Sequence, residues 1–112
     1  MKTINWENAE ILKNPHGVDV RRIYNSEHAQ VAHMLLKPNE QLKKHITPVD
    51  AIFFVLEGTG IVEVGDEKLE VREGTLIDSP AKIPHCWYNK SDSILRIMVI
   101  KAPRPTNATK VL

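Results

Sequence analysis

The chain of 112 residues is the size of one domain with a modest core, and 15 basic against 14 acidic side chains leave a formal net charge of +1. No run of five or six like charges occurs, so a nucleic-acid or membrane-surface role has no electrostatic support. No apolar run is long enough for a membrane-spanning helix, and Met1 to Glu7 has no apolar signal region, so a soluble, cytoplasmic protein is expected.

In chain order, the one helical candidate is short, within Trp6 to Leu12, and Asn14-Pro15 stops it. The period then becomes two. Val18, Val20, Arg22 and Tyr24 alternate with Asp19, Arg21 and Ile23. Gln30 to Leu36 reads as a strand ended by Lys37-Pro38-Asn39, because proline cannot donate to a central ladder. Ala51 to Leu56 is nearly all apolar, as in a strand covered on both faces. Ile61 to Val64 and Lys68 to Val71 flank Gly65-Asp66, a hairpin signal. Thr75 to Asp78, His85 to Asn89 and Ile94 to Ile100 complete the series. Turns at this rhythm predict an all-β sandwich or barrel in a single domain, residues 1–112. Ala102 to Leu112 reads as a loose terminus or, less favoured, an arm on a partner subunit.

Chemistry has to come from the histidines. His16, beside Pro15 and Gly17, and His28, after Ser26-Glu27, read as loop residues. His33 shares a strand face with Val31 and Leu35, so it is either a satisfied core histidine or a cavity-lining one. His45 precedes Thr47-Pro48, and His85 follows Pro80 and Pro84, which places each at the mouth of a strand, where binding and catalytic groups collect. Cys86, the only cysteine, excludes an internal disulfide and reads as a small buried hydrophobe; Met34 and Met98 read as core filler.

The segments around His45 and His85 resemble the two signature motifs of the cupin superfamily. In the first, Pro38-Asn39 stands at the Pro-Gly position, His45 at the first histidine, and Val55-Leu56-Glu57-Gly58-Thr59-Gly60 is similar to family sequence. In the second, Gly74, Pro80, His85 and Asn89 match, and Lys82 replaces the inner glycine. The resemblance covers about Val31 to Lys101. It implies a double-stranded β-helix, the jelly-roll barrel of the cupins, with a cavity between its sheets.

Metal-bearing cupins take their ligands from histidines and a glutamate, and here the set is incomplete. Thr47 stands at the second histidine position and Ala51 at the glutamate. A divalent transition metal (Zn, Ni, Fe or Mn) held by His45, His85 and either Asp50 or His33 is one reading; a metal-free cavity with two histidines is the other. An outward-facing turn aspartate is the preferred reading of Asp50 itself. By alternation, Trp87 points inward with His85 and Phe53 with Ala51, either as ordinary core packing, the favoured reading, or as part of a pocket with His33 and Thr47, while Cys86 and Tyr88 face away.

Three functions remain open. The preferred one is a metal-dependent enzyme acting on a small organic substrate, of oxygenase, isomerase or lyase type, with His45 and His85 catalytic. The second is a module that binds or senses a small molecule without turnover, and the third a barrel whose role is assembly. A homodimer is expected in each, with the strand around Val18 to Tyr24 crossing to the partner.

Overall fold

In the computed structural model, which describes residues 1–112, ten strands form two five-stranded antiparallel sheets that face each other. The strands are β1 (Asp19–Asn25), β2 (Gln30–Leu36), β3 (His45–Ile46), β4 (Asp50–Glu57), β5 (Thr59–Val64), β6 (Glu67–Arg72), β7 (Leu76–Ser79), β8 (His85–Tyr88), β9 (Leu95–Ala102) and β10 (Lys110–Val111). One sheet runs β1-β2-β9-β4-β7 and the other β10-β3-β8-β5-β6. Chain neighbours such as β3 and β4 therefore lie in different sheets, as in a jelly roll.

The alternation of side chains sets the core. Ala51, Phe53 and Val55 of β4 face inward with Leu95 and Ile97 of β9, and β8 contributes Trp87; all are essentially excluded from solvent. Two glycines make this packing possible. Gly58 has φ 89°, a left-handed conformation, and any Cβ there would strike the Ile94 carbonyl. At Gly60 a Cβ would lie 2.5 Å from Leu95 Cδ2 and 3.1 Å from the Trp87 ring, so these two side chains occupy the space of the missing one. The Gly65-Asp66 hairpin forms as its sequence predicts, with Gly65 at φ 58°. Only the first central residue has positive φ, the pattern of a type II′ turn.

Two differences from the sequence reading matter. The helical segment shrinks to one 3-10 turn, Trp6–Asn8, because its sequence offers too few apolar contacts at helical spacing. The C-terminal tail is not loose. Strand β10 pairs with β3, Leu112 N–H donates to the Lys44 carbonyl, and Thr109 reaches the interior. Strand β1 pairs with β2 of its own chain and forms the edge of its sheet.

Candidate functional site

Between the sheets, at the end of the barrel where β3 and β8 meet, lies a cavity of about 170 Å³. Its apolar wall includes Val20, Met34, Ala51, Phe53 and Val99, and its polar wall His16, His45, Thr47, His85, Lys101 and Thr109. No aspartate or glutamate lines it.

The two motif histidines meet there because of strand pairing. His45 on β3 is directly opposite His85 on β8, and opposed residues of an antiparallel pair share a face. Their rings pack edge to face with centroids 4.4 Å apart, and Phe53 packs edge-on against His85 at 5.2 Å. Lys82, where the motif has glycine, takes the glycine-like φ of 66°, and its N–H donates to the Thr47 carbonyl at 2.9 Å. The loop before β8 is thereby tied to the loop before β4.

Hydrogen bonds fix the protonation of the rings. His45 Nδ1 lies 2.7 Å from the Lys43 carbonyl, which can only accept. The proton is therefore on Nδ1, and Nε2 carries a lone pair with no protein partner. His16 is the mirror case. Its Nδ1 accepts from the Lys43 N–H at 3.0 Å, so its Nε2 carries the proton. His85 is held on both sides, by Ser79 Oγ at Nδ1 (2.6 Å) and Thr47 Oγ1 at Nε2 (3.2 Å). Since hydroxyls donate or accept, this ring can hold its proton on either nitrogen. Burial, aided by the neighbouring imidazoles, lowers the His16 pKa to about 4 and that of His85 to about 3. Burial also pulls His45 below its ordinary value. At neutral pH the cavity therefore presents neutral imidazoles with defined donors and acceptors.

His16 was read as a loop residue, and its place here is a finding. Asn14 binds the Leu12 and Val18 carbonyls and caps His16 N–H, folding the Asn14-Pro15-His16-Gly17 turn over the cavity mouth. The His16 ring lies 4.7 Å from that of His45. No local signal in the sequence marks it, since the approach depends on where β1 docks.

Other expected site residues fall elsewhere. His33 is on the opposite face of β2, because Ala32 and Met34 line the cavity and alternation turns His33 outward. It is nonetheless buried, stacked on Trp6 at 3.9 Å, with Nε2 accepting from Arg96 Nε at 2.9 Å. Asp50 is exposed, and its Oδ1 accepts the Ala81 N–H at 2.8 Å, so it closes a loop outside the barrel. Alternation resumes immediately after Pro48 and puts Asp50 on the face away from Ala51. Trp87 does point inward, but it sits beneath Phe53, centroids 5.6 Å apart, in the core and off the cavity wall. Thr47 and Phe53 are on the wall.

These donors do not make a metal centre. No three histidine, cysteine, aspartate or glutamate side chains converge on one point. Ala51 has no donor atom, Asp50 is outside, and the His16 Nδ1 lone pair is taken by the Lys43 N–H. A catalytic metal site usually needs three protein ligands, and His45 and His85 are two.

Residues 32–101 match the cupin domain family. The chain is a cupin. An uncharacterised protein of Methanocaldococcus jannaschii is similar, 29% identical over 77% of this cupin and 75% of that protein. A 3-hydroxyanthranilate 3,4-dioxygenase of Coccidioides immitis is 30% identical over 64% of this chain, which spans 41% of that enzyme. Among solved structures, TT1209 of Thermus thermophilus superposes with a TM-score of 0.80 at 28% identity, covering 94% of this chain and all of that one. The polyketide cyclase RemF of Streptomyces resistomycificus superposes at 0.85 over the whole of this cupin and 85% of RemF; at 18% identity it shows the shared fold.

Proposed function

We propose that this cupin is an enzyme that moves a proton on a small, partly apolar organic substrate, in an isomerase- or lyase-type reaction, with His45 as the base. The observation that carries this reading is the fixed tautomer of His45, which holds a bare Nε2 at a partly apolar cavity. A base there faces a C–H bond made acidic by an adjacent carbonyl. His45 Nε2 takes the proton, the C–H electron pair becomes a C=C bond, and the carbonyl oxygen takes the negative charge. With its proton on Nε2, His85 donates to Thr47 Oγ1 and leaves the Thr47 hydroxyl proton to donate to that oxygen. His45 then returns the same proton to another carbon or to a leaving group, so the enzyme ends unchanged.

The cavity sets the substrate size. Pockets for drug-sized ligands run about 300–1,000 Å³, so 170 Å³ suits a molecule with one small apolar portion. A distant dioxygenase relative and a polyketide cyclase of the same fold agree with chemistry in such a barrel.

The test is deuterium exchange. Small enolisable ketones and keto acids are incubated with the protein in D2O, and loss of the C–H signal is followed by NMR. We expect exchange that disappears in His45→Ala. Binding without exchange would return the non-catalytic, ligand-sensing reading. Metal content is an independent check. Purified without added metal, the protein is expected to hold far less than one zinc, nickel, iron or manganese per chain and to keep its activity in EDTA. One bound metal per chain, lost on His45→Ala, would contradict this reading.

A further inference from the structure

Lys101 is the one cationic side chain on the cavity wall, and nothing in the protein neutralises it. It sits on β9 directly opposite Ala51 on β4, so both side chains share the inner face. Ala51 is completely buried and offers only a methyl group. Lys101 takes part in none of the ion pairs of the fold, and its ammonium makes a single long contact, 3.4 Å, to Thr109 Oγ1. Its charged neighbour is Arg22, of the same sign, which together with burial holds the Lys101 pKa below its ordinary value. A half-buried ammonium with no anion is costly unless something else supplies one.

The same wall carries a second donor without a partner. The His16 ring is fixed with its proton on Nε2, and the protein places no acceptor there. An ammonium, a fixed N–H and two hydroxyl-bearing threonines therefore line a space with no carboxylate of its own, while Phe53, Met34 and Val99 continue the wall beside Lys101 on the same sheet.

We propose that the natural ligand of this cavity is a small organic acid whose carboxylate is bound by Lys101, with His16 Nε2–H as the second donor and the acid's apolar portion against Phe53. This names the substrate class for the reaction proposed above and rests on that reading for its chemistry, but the binding claim stands by itself. Lys101 and His16 are positioning residues. The space beside Ala51 is where the ligand's carboxylate meets the ammonium, so the protein leaves its own wall uncharged at that point. Any protein carboxylate placed there would compete with the ligand.

The test compares acids with neutral isosteres. Binding of benzoate and crotonate, and of benzamide and crotonamide, is measured by NMR titration of the wild-type protein at low salt. The acids are expected to bind at least tenfold more tightly than the amides. Lys101→Met should bring the acids down to the level of the amides and leave the amides unchanged. Ala51→Glu should have the same effect on the acids by giving Lys101 an internal partner, whereas Ala51→Gln should spare much of their affinity. Equal binding of acid and amide by the wild-type protein, or no binding of either at millimolar concentration, overturns the proposal whether or not a variant folds. Unchanged acid binding in a folded Lys101→Met protein overturns it too. Tight acid binding without deuterium exchange would leave this inference standing and remove the catalytic reading of His45.

Discussion

The outer face of the first sheet and the inner face of the second each bury histidine, and only the inner face leaves anything for a ligand. On the outer face, His33 lies flat on Trp6, whose ring also meets the guanidinium groups of Arg21 and Arg96 at 5.2 and 5.0 Å. Its Nε2 accepts from Arg96, and Nδ1 is sealed in without a partner. On the inner face, His45 and His85 take their orientation from Lys43, Ser79 and Thr47, and His45 turns a bare nitrogen to the cavity. Burial and low basicity do not separate the two places. His33 and His16 are both lowered to about 4, each chiefly by desolvation. What differs is the surroundings of the second ring nitrogen. Protein encloses it in His33, whereas in His45 it meets open space that a substrate can fill.

The largest effects should come from the inner face. His45→Ala is expected to lower turnover by about 10²–10⁴-fold, the usual worth of a positioned general base. The melting temperature should fall less than in His33→Ala, because the ring borders the cavity and its only protein hydrogen bond is to the Lys43 carbonyl. His33→Ala should show the reverse. Removing a ring stacked on Trp6 and bonded to Arg96 is expected to cost about 2–3 kcal/mol in urea unfolding and to leave turnover unchanged. Equal losses of activity in the two variants would break the comparison.

Acid should act on both faces through stability. Unfolded histidines bind protons near pH 6.5, whereas the folded protein holds His16 and His33 to about 4 and His85 to about 3. Between those limits the unfolded chain carries more protons. Stability is therefore complete above about pH 6.5 and falls as the pH drops toward the folded values, by several kcal/mol between pH 7 and pH 4.5. Urea titrations at the two pH values check this; a flat profile would mean that these imidazoles are solvated.

The smallest effect concerns the loop that carries His85. Lys82 holds φ 66°, which costs a residue with a Cβ about 1 kcal/mol. Lys82→Gly should stabilise the protein by roughly that amount, with turnover intact. Its backbone N–H remains to bind the Thr47 carbonyl.

Much of this molecule could be read in its sequence where a period or a turn carried the information. Gln30 to Leu36 is a strand with those bounds, because Pro38 ends it and β-branched and apolar residues fill it. The strand expected over Ala51 to Leu56 extends by one residue at each end. Cys86 and Tyr88 share the face away from the cavity, as alternation predicts, with Cys86 Sγ 3.2 Å from Tyr88 Oη. Strands β3 and β10 were not legible, since two residues carry no period. At the site, the pairing of His45 with His85 followed from the motifs. His16 and Lys101 did not, because their convergence depends on how the first turn and β9 dock against the opposite sheet. For His33, alternation gave its strand neighbours correctly but could not say which face of β2 meets the cavity, and the apolar neighbours Val31 and Leu35 made the outer face look like core.

The most direct test of the shared cavity is a side-chain ¹⁵N NMR spectrum of the histidines at pH 7, before and after addition of benzoate. His45 is expected as the Nδ1–H tautomer with a bare Nε2 and His16 as the opposite tautomer. Benzoate should shift His16, His45 and His85 together and leave His33 still. Rings 45 and 85 that titrate near 6.5 as in an unstructured chain, or that ignore a ligand moving His16, would contradict a common site.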